Sequence, residues 1–72
     1  MNNRIEINPK IMMGKPIVKG TRIPAYIILN LLAEGYNFEQ IIKECPDLTQ
    51  QDILAVIDYA AKLTKFRELV TV

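Results

Sequence analysis

The stretch Asn37–Ile57, NFEQIIKECPDLTQQDILAVI, holds two short amphipathic patterns separated by a turn. Asn37 followed by Gln40 three positions later is typical of a capping box at the start of a helix. The apolar residues of the first pattern recur at the spacing of one helical face, at Phe38, Ile41, Ile42 and Cys45. Pro46 then ends this helix, because a proline cannot continue it.

The second pattern begins at Thr49, whose hydroxyl is typical of a helix N-cap, and Asp52 adds a negative charge to the first turn. Leu48 and Ile53 have the spacing of a hydrophobic staple on either side of the cap. The periodicity predicts a core stripe that reaches Leu63 or a little beyond and contains Ile53, Val56, Ile57, Ala60 and Ala61. Because only residues 46–49 join the two helices, the stretch predicts a helix-turn-helix.

A further helix is predicted upstream, with Pro24 as its first residue and Gly35 as a C-cap in the left-handed conformation. Its apolar positions are Ile27, Ile28, Leu29, Leu31, Leu32 and Ala33. Because this helix is apolar nearly all round, it must be buried on more than one side. In a domain of 72 residues the simplest second burial surface is another protein.

Before this helix, residues 4–8 alternate between polar and apolar and predict a half-buried strand. Residues 16–20 fit a second, very short strand, and Gly14 and Gly20 are expected where φ is positive or packing is close. Two such strands are not stable alone, so they pair with each other or with the same strand of a second copy.

The whole chain, residues 1–72, is therefore predicted to be one domain of the all-α class. It is a three-helix helix-turn-helix bundle with a short N-terminal β-strand or hairpin. Residues 1–22 form the strand and a basic Gly/Pro loop, residues 23–65 form the three-helix core, and residues 66–72 form a tail.

The composition excludes several classes of functional site. One cysteine, no histidine and no serine rule out an internal disulfide, serine–histidine or cysteine–histidine catalysis, zinc fingers and haem held by histidine. No pair of carboxylates falls in an apolar cleft, so we expect no catalytic residue, metal or cofactor, and no enzyme. Cys45 lies on the apolar face of its helix and is expected to be a buried structural thiol rather than a reactive one.

No membrane contact is predicted. The longest apolar stretch without a charge, Ile23–Ala33, has 11 residues, whereas a membrane span needs about 20. No basic segment with a small-residue cleavage site precedes this stretch. The lone cysteine is typical of a reducing compartment, so the predicted location is cytoplasmic.

Charge is distributed unevenly along the chain, although the net charge is only +1. Residues 1–24 hold five basic residues against Glu6 alone, whereas residues 25–72 hold four basic and seven acidic residues. A basic arm on a mildly acidic body indicates a polyanion or an acidic partner near the N-terminus. The alternative is a solvated loop whose lysines only keep the chain soluble.

Four short motifs are present together: MGKP at residues 13–16, GTRIP at 20–24, PDLT at 46–49 and YA at 59–60. In combination they resemble the domain-of-unknown-function 433 family over residues 5 to 61. Cys45 stands where the family usually has an aromatic residue, and Asn37 stands where serine or threonine is common. The resemblance implies a homeodomain-like three-helix domain, and many members are encoded as the antitoxin opposite a PIN-like ribonuclease toxin.

Duplex DNA is the first candidate partner. A helix-turn-helix reads base edges with the exposed residues at the start of its second helix, which here are Thr49, Gln50 and Gln51. Phosphate contacts would come from the basic loop, and a dimer would double them; the residues are Lys10, Lys15, Lys19 and Arg22. Alternatively the two glutamines are ordinary surface residues, Arg22 holds carboxylates or carbonyls of its own chain, and Thr21 bonds its local backbone.

Self-association is the second expectation, since the chain has more apolar residues than one three-helix core absorbs. The predicted homodimer interface consists of Ile5, Ile7, Tyr26 and Leu29, with Met12 and Met13 as further contacts. The tail, residues 66–72, is either a segment that grips a toxin or a frayed end.

These patterns together predict a non-catalytic, DNA-binding regulator of the antitoxin type, with a PIN-like ribonuclease toxin as its partner. The alternative function is a protein-interaction adaptor or dimerisation module that binds no nucleic acid.

Overall fold

A computed structural model describes residues 3–67 of the chain. The elements are strand β1 (Ile5–Glu6), a 3₁₀ turn (Met12–Gly14), strand β2 (Ile17–Val18) and helices α1 (Ala25–Ala33), α2 (Phe38–Glu44) and α3 (Gln50–Arg67). Three helices and a short N-terminal hairpin were the predicted elements, and both are confirmed.

The hairpin forms within one chain. Strands β1 and β2 are antiparallel, with Ile5 opposite Val18 and Glu6 opposite Ile17. Ile17 also bridges to Pro24, so β2 lies between β1 and the start of α1. Of the two pairings that the sequence left open, the intramolecular one is therefore present.

A tight turn joins β2 to α1 and depends on a glycine. Gly20 has φ +86°, which a side chain would disfavour, as predicted. The Thr21 hydroxyl donates to the carbonyl of Val18 at 2.8 Å and accepts from the amide of Ile23 at 3.0 Å. The predicted local role of Thr21 is thus confirmed.

The loop between the strands has a conformation that the sequence did not predict. Gly14 has φ +83°, in line with expectation, but Met12 and Met13 before it also have positive φ, at 51° and 57°. Methionine rarely adopts this region. The side chain of Met13 is exposed to solvent at the tip of the loop.

The ends of α1 are set by a proline and a glycine. Pro24 is the N-cap residue rather than the first helical residue, because its ψ of 145° is still extended. At the other end, the amide of Gly35 donates to Leu32 and that of Tyr36 donates to Leu31, both at 3.0 Å. This is a Schellman motif in which Glu34 is the C-cap residue and the left-handed Gly35 follows it, so the predicted left-handed glycine at the end of the helix is confirmed one position beyond the cap.

The capping box of α2 is confirmed. The amide of Asn37 donates to the Gln40 side chain at 2.8 Å, and the amide of Gln40 donates to the Asn37 side chain at 2.8 Å. Each bond satisfies an amide that the helix itself leaves without a partner.

Replacing Asn37 with alanine is therefore expected to lower the free energy of unfolding by about 1 kcal/mol, and glycine by only a few tenths. Urea unfolding measures both. The control is Asn30→Ala on the exposed side of α1, which removes an amide that caps nothing. An equal loss in Asn30→Ala would contradict the assignment of the effect to the cap.

One hydrophobic cluster joins the two strands and the three helices. The buried members are Val18, Ala25, Ile28, Ile41, Leu48, Ile53 and Val56. Leu48 and Ile53 lie in it together, as the predicted staple requires. Cys45 packs against the cluster but is only half-buried, so its predicted burial was wrong. It is the C-cap residue that follows the short α2, next to the exposed Pro46.

The predicted core stripe of α3 was partly wrong. Ile53 and Val56 are fully buried, but Ile57 is 38% exposed, Ala60 is half-buried and Ala61 is exposed. Asp52 and Ala55 are buried instead, so the buried face is turned toward their side of the helix. The second half of α3 extends past its neighbours, because α3 has 18 residues, whereas α1 has nine and α2 has seven.

Helix α1 keeps apolar surface outside the core, as its composition predicts. Only Ala25 and Ile28 are buried in it, and Tyr26 is exposed. The remaining large apolar residues are half-buried; they are Ile27, Leu29, Leu31 and Leu32.

Candidate nucleic-acid interface

The first turn of α3 exposes neutral polar side chains. Thr49, Gln50 and Gln51 are exposed, while Asp52 is 6% exposed and is the buried polar residue of the described core. The amide of Thr49 donates to the Asp52 carboxylate at 2.9 Å, and the amide of Asp52 donates to the Thr49 hydroxyl at 3.2 Å. This reciprocal pair confirms Thr49 as the cap and leaves the two glutamines facing solvent.

Arg4 joins the N-terminal hairpin to this turn. Its Nη1 donates to Oδ1 of Asp52 at 2.9 Å. This ion pair could not be predicted from the sequence, because the two residues are 48 positions apart and no motif connects them. The pair neutralises the carboxylate that is buried at the start of α3.

The environment of Asp52 favours its charged form. Burial raises the pKa of Asp52, but the amide and hydroxyl of Thr49 and the guanidinium of Arg4 lower it by hydrogen bonding and by charge. The result is a pKa below the usual aspartate value. Asp52 therefore stays ionised and paired at neutral pH.

The turn that carries Lys19 and Arg22 lies at the same end of the hairpin as Arg4. The amide of Lys19 donates to the carbonyl of Arg4 at 2.7 Å. Lys19 and Arg22 are both exposed, and within residues 3–67 no hydrogen bond or ion pair engages the Arg22 guanidinium. Among the described residues there is thus no hydrogen bond or ion pair to support the alternative that Arg22 binds carboxylates or carbonyls of its own chain.

The other predicted phosphate contacts are not gathered there. Lys15 lies beyond the opposite end of β2, and its Nζ is 5.7 Å from the centre of the Tyr26 ring. Lys10 lies in the same loop as Lys15, between the strands. The basic loop, which the sequence suggested was one cluster, is therefore divided between the two ends of the hairpin.

The four residues predicted for the dimer interface do not lie on one surface. Ile5 packs against the chain's own core and is half-buried, whereas Ile7 is exposed. Tyr26 and Leu29 lie together in an apolar groove of about 320 Å³ between α1 and the second half of α3. The other lining residues are Lys15, Pro16, Ala25, Tyr59, Ala60 and Leu63.

The described part of the chain holds neither a metal-binding cluster nor a membrane-spanning helix. Within residues 3–67 no three carboxylate or thiol groups lie close enough together to hold a metal ion. None of the helices described is both long and apolar enough to cross a bilayer. The predicted toxin-gripping segment, residues 66–72, falls outside the described residues from position 68 onward.

Comparison with known proteins identifies the family. Residues 5–60 match the family described as "Protein of unknown function (DUF433)". The chain belongs to the DUF433 family. The resemblance predicted from the four sequence motifs is thereby confirmed.

The DUF433 fold is also found in a solved relative. The crystal structure of a DUF433 member protein from Anabaena variabilis superposes with a TM-score of 0.81 at 25% sequence identity, covering 96% of this chain and 70% of that one. A curated relative, "Uncharacterized protein y4eO" of Sinorhizobium fredii, is 34% identical over 53 residues. Those residues are 74% of this chain but 24% of that protein, so the chain spans about a quarter of the relative's length.

Proposed function

We propose that this DUF433 chain is a non-catalytic, DNA-binding regulator that works as a homodimer in the cytoplasm, as the antitoxin component of a toxin–antitoxin pair. In this proposal α2 and α3 form a homeodomain-like helix-turn-helix, and the start of α3 enters the major groove. The short connection between the helices supports it: the amide of Leu48 donates to the carbonyl of Cys45 at 2.9 Å, which closes a tight turn.

The observation that carries this proposal is the neutral, exposed first turn of α3. A carboxylate at this place would repel DNA phosphates, but Asp52 is buried and paired with Arg4 at 2.9 Å. Gln50 and Gln51 are exposed, and a glutamine amide pairs well with the edge of adenine. Within the first turn of α3, Thr49, Gln50 and Gln51 therefore offer exposed hydrogen-bonding groups, and the exposed carboxylate nearest along the chain is Asp47, in the connection before the helix.

Lys19 and Arg22 supply the phosphate contacts in this proposal. Both are exposed, and the Lys19–Arg4 hydrogen bond holds their turn at the end of the hairpin that Arg4 ties to α3. Phosphate contacts provide most of the affinity of such proteins and make it depend on salt. A homodimer has two copies of this pair and therefore twice as many cations for phosphate contacts.

The test is a salt titration of binding to duplex DNA from the region upstream of the chain's own coding sequence. Fluorescence anisotropy should show affinity that falls steeply with salt. The double variant K19E/R22E should lower affinity by at least roughly tenfold and flatten the salt slope by about one unit for each phosphate that is no longer neutralised. Gln50→Ala with Gln51→Ala should instead reduce the preference for this DNA over a shuffled sequence.

A matched control changes the net charge equally at other places. Lys10 lies in the loop between the strands, and Lys65 lies in the second half of α3; both are exposed. The variant K10E/K65E should keep most of the affinity. An equal loss in this control would show that only net charge matters, and absence of binding at low salt would overturn the DNA-binding proposal.

The antitoxin role rests on the family resemblance and needs its own test. A PIN-like ribonuclease encoded beside this chain should lose its activity when mixed with it in stoichiometric amounts. An active ribonuclease in the presence of excess chain would contradict the role.

A protein-interaction adaptor is the second candidate, and the apolar groove between α1 and α3 is the observation that favours it. An adaptor would show no salt-dependent binding to any duplex. The K19E/R22E variant would then be indistinguishable from the parent chain in the DNA assay.

A further inference from the structure

The groove between α1 and the second half of α3 is unfilled by the described chain. It is apolar, with Tyr26 46% exposed on one wall and Leu63 50% exposed on the other. Burying large apolar side chains is favourable at roughly 25 cal/mol per Å². The groove therefore fits an occupant with apolar side chains.

The single charge in the lining of this groove is positive. Lys15 is the charged lining residue, its ammonium lies 5.7 Å from the centre of the Tyr26 ring, and no carboxylate within residues 3–67 forms an ion pair with it. An apolar occupant that carries one carboxylate at its end would complement both the surface and the charge.

The sequence itself contains a segment of that chemistry outside the described residues. Residues 68–72 read Glu68-Leu69-Val70-Thr71-Val72, which is one carboxylate followed by three apolar residues among four. We propose that the groove of one copy binds residues 68–72 of a second copy, with Glu68 paired to Lys15 and Leu69 and Val70 against the two tyrosines.

The direction of α3 selects a second copy rather than the same chain. The groove is lined by α3 residues 59, 60 and 63, but α3 continues to Arg67. Arg67, the last described residue of α3, thus lies about 6 Å beyond Leu63 along the helix axis, so the described helix leads out of the groove. A second copy whose α3 runs antiparallel brings its own residues 68–72 toward the groove from the open end.

An exchange of these segments between two copies gives a closed dimer. If each copy gives its segment to the other, the interface has two-fold symmetry and both grooves are filled. Tyr26 and Leu29, two of the residues that the sequence predicted for the dimer interface, line the groove. This exchange rests on the homodimer of the proposed function, but it is tested without DNA, so a dimer that forms by another surface would overturn the exchange and leave the DNA-binding proposal standing.

A charge exchange in the full chain tests the pairing. Sedimentation equilibrium at low salt should show that Lys15→Glu or Glu68→Lys alone weakens dimerisation by roughly tenfold, since each change acts at both grooves. The double variant K15E/E68K should restore dimerisation to nearly the parent level. Lys10→Glu, an exposed lysine in the same loop, is the control and should have little effect.

A cross-link distinguishes exchange between copies from binding within one chain. In a Cys45→Ala background, Lys15→Cys with Glu68→Cys should give a disulfide-linked dimer on oxidation. A monomer with an internal disulfide, or no disulfide at all, would overturn the proposal. So would a chain that stays monomeric at high concentration, or a charge exchange that restores nothing; circular dichroism confirms that each variant is folded.

Discussion

Replacing Ile53 with alanine is expected to lower the free energy of unfolding by about 3 kcal/mol. The side chain is fully buried at the meeting point of the three helices and the hairpin, within the cluster that contains Ile28, Ile41 and Val56. A small domain is stabilised by only about 0.05–0.15 kcal/mol per residue. One such cavity therefore removes a large part of the stability of a chain of 72 residues.

The matched control is one turn away on the same helix. Ile57→Ala makes the same chemical change, but its side chain is 38% exposed. It should lower the free energy of unfolding by less than about 1 kcal/mol. Urea unfolding measures both variants, and equal losses would mean that Ile57 belongs to the core, as the sequence pattern suggested.

Short-range signals explain why much of the fold could be predicted. Asn37 with Gln40, Thr49 with Asp52, and Gly35 each act within a few residues, and each does so in the structure. Such caps satisfy backbone groups that the helix leaves unpaired, whatever the rest of the chain does. The starts of α2 and α3 and the end of α1 could therefore be predicted from the sequence, whereas α3 continues to Arg67, two residues into the predicted tail.

The sequence did not predict in the same way which residues lie at the centre of a helix's buried face. Periodicity shows that one side of α3 is apolar, but the stripe is wide and its buried part depends on what packs against it. The shorter helices α1 and α2 cover the part that contains Asp52, Ile53 and Val56, while residues 61–65 are exposed. Whether Ile57 or the residues next to it on α3 are buried therefore depends on tertiary packing.

In the candidate site, too, the features that depend on local sequence could be predicted, and those that depend on tertiary pairing could not. Exposure of Gln50 and Gln51 follows from the cap at Thr49, so the sequence predicted it. The grouping of the cations follows from the register of the hairpin, which places Lys19 beside Arg4 and Lys15 at the far end. No local pattern encodes this register, because it results from pairing residues 5–6 with residues 17–18.

Asp52→Ala is expected to lower the free energy of unfolding by about 2 kcal/mol, because it removes charged hydrogen-bond partners from two groups. The amide of Thr49 loses its acceptor at 2.9 Å, and Arg4 loses the link at 2.9 Å that ties the hairpin to α3. Asp58→Ala is the control on the same helix, since Asp58 is exposed and pairs with Lys62 at 3.1 Å. It should cost less than about 0.5 kcal/mol.

The effect of Asp52 should also depend on pH. The hydrogen bonds and Arg4 hold its pKa below the usual value despite burial, so the folded chain binds this proton less tightly than the unfolded chain. Its contribution is complete above the unfolded-state pKa of about 3.9 and is lost as pH falls through the lower folded-state pKa. The difference in free energy of unfolding between the parent and Asp52→Asn should therefore be constant from pH 7 to about 5 and shrink below pH 4. The remaining carboxylates are common to both chains and largely cancel, so a difference that stays constant down to pH 2 would mean that the Asp52 charge does not stabilise the junction between the hairpin and α3.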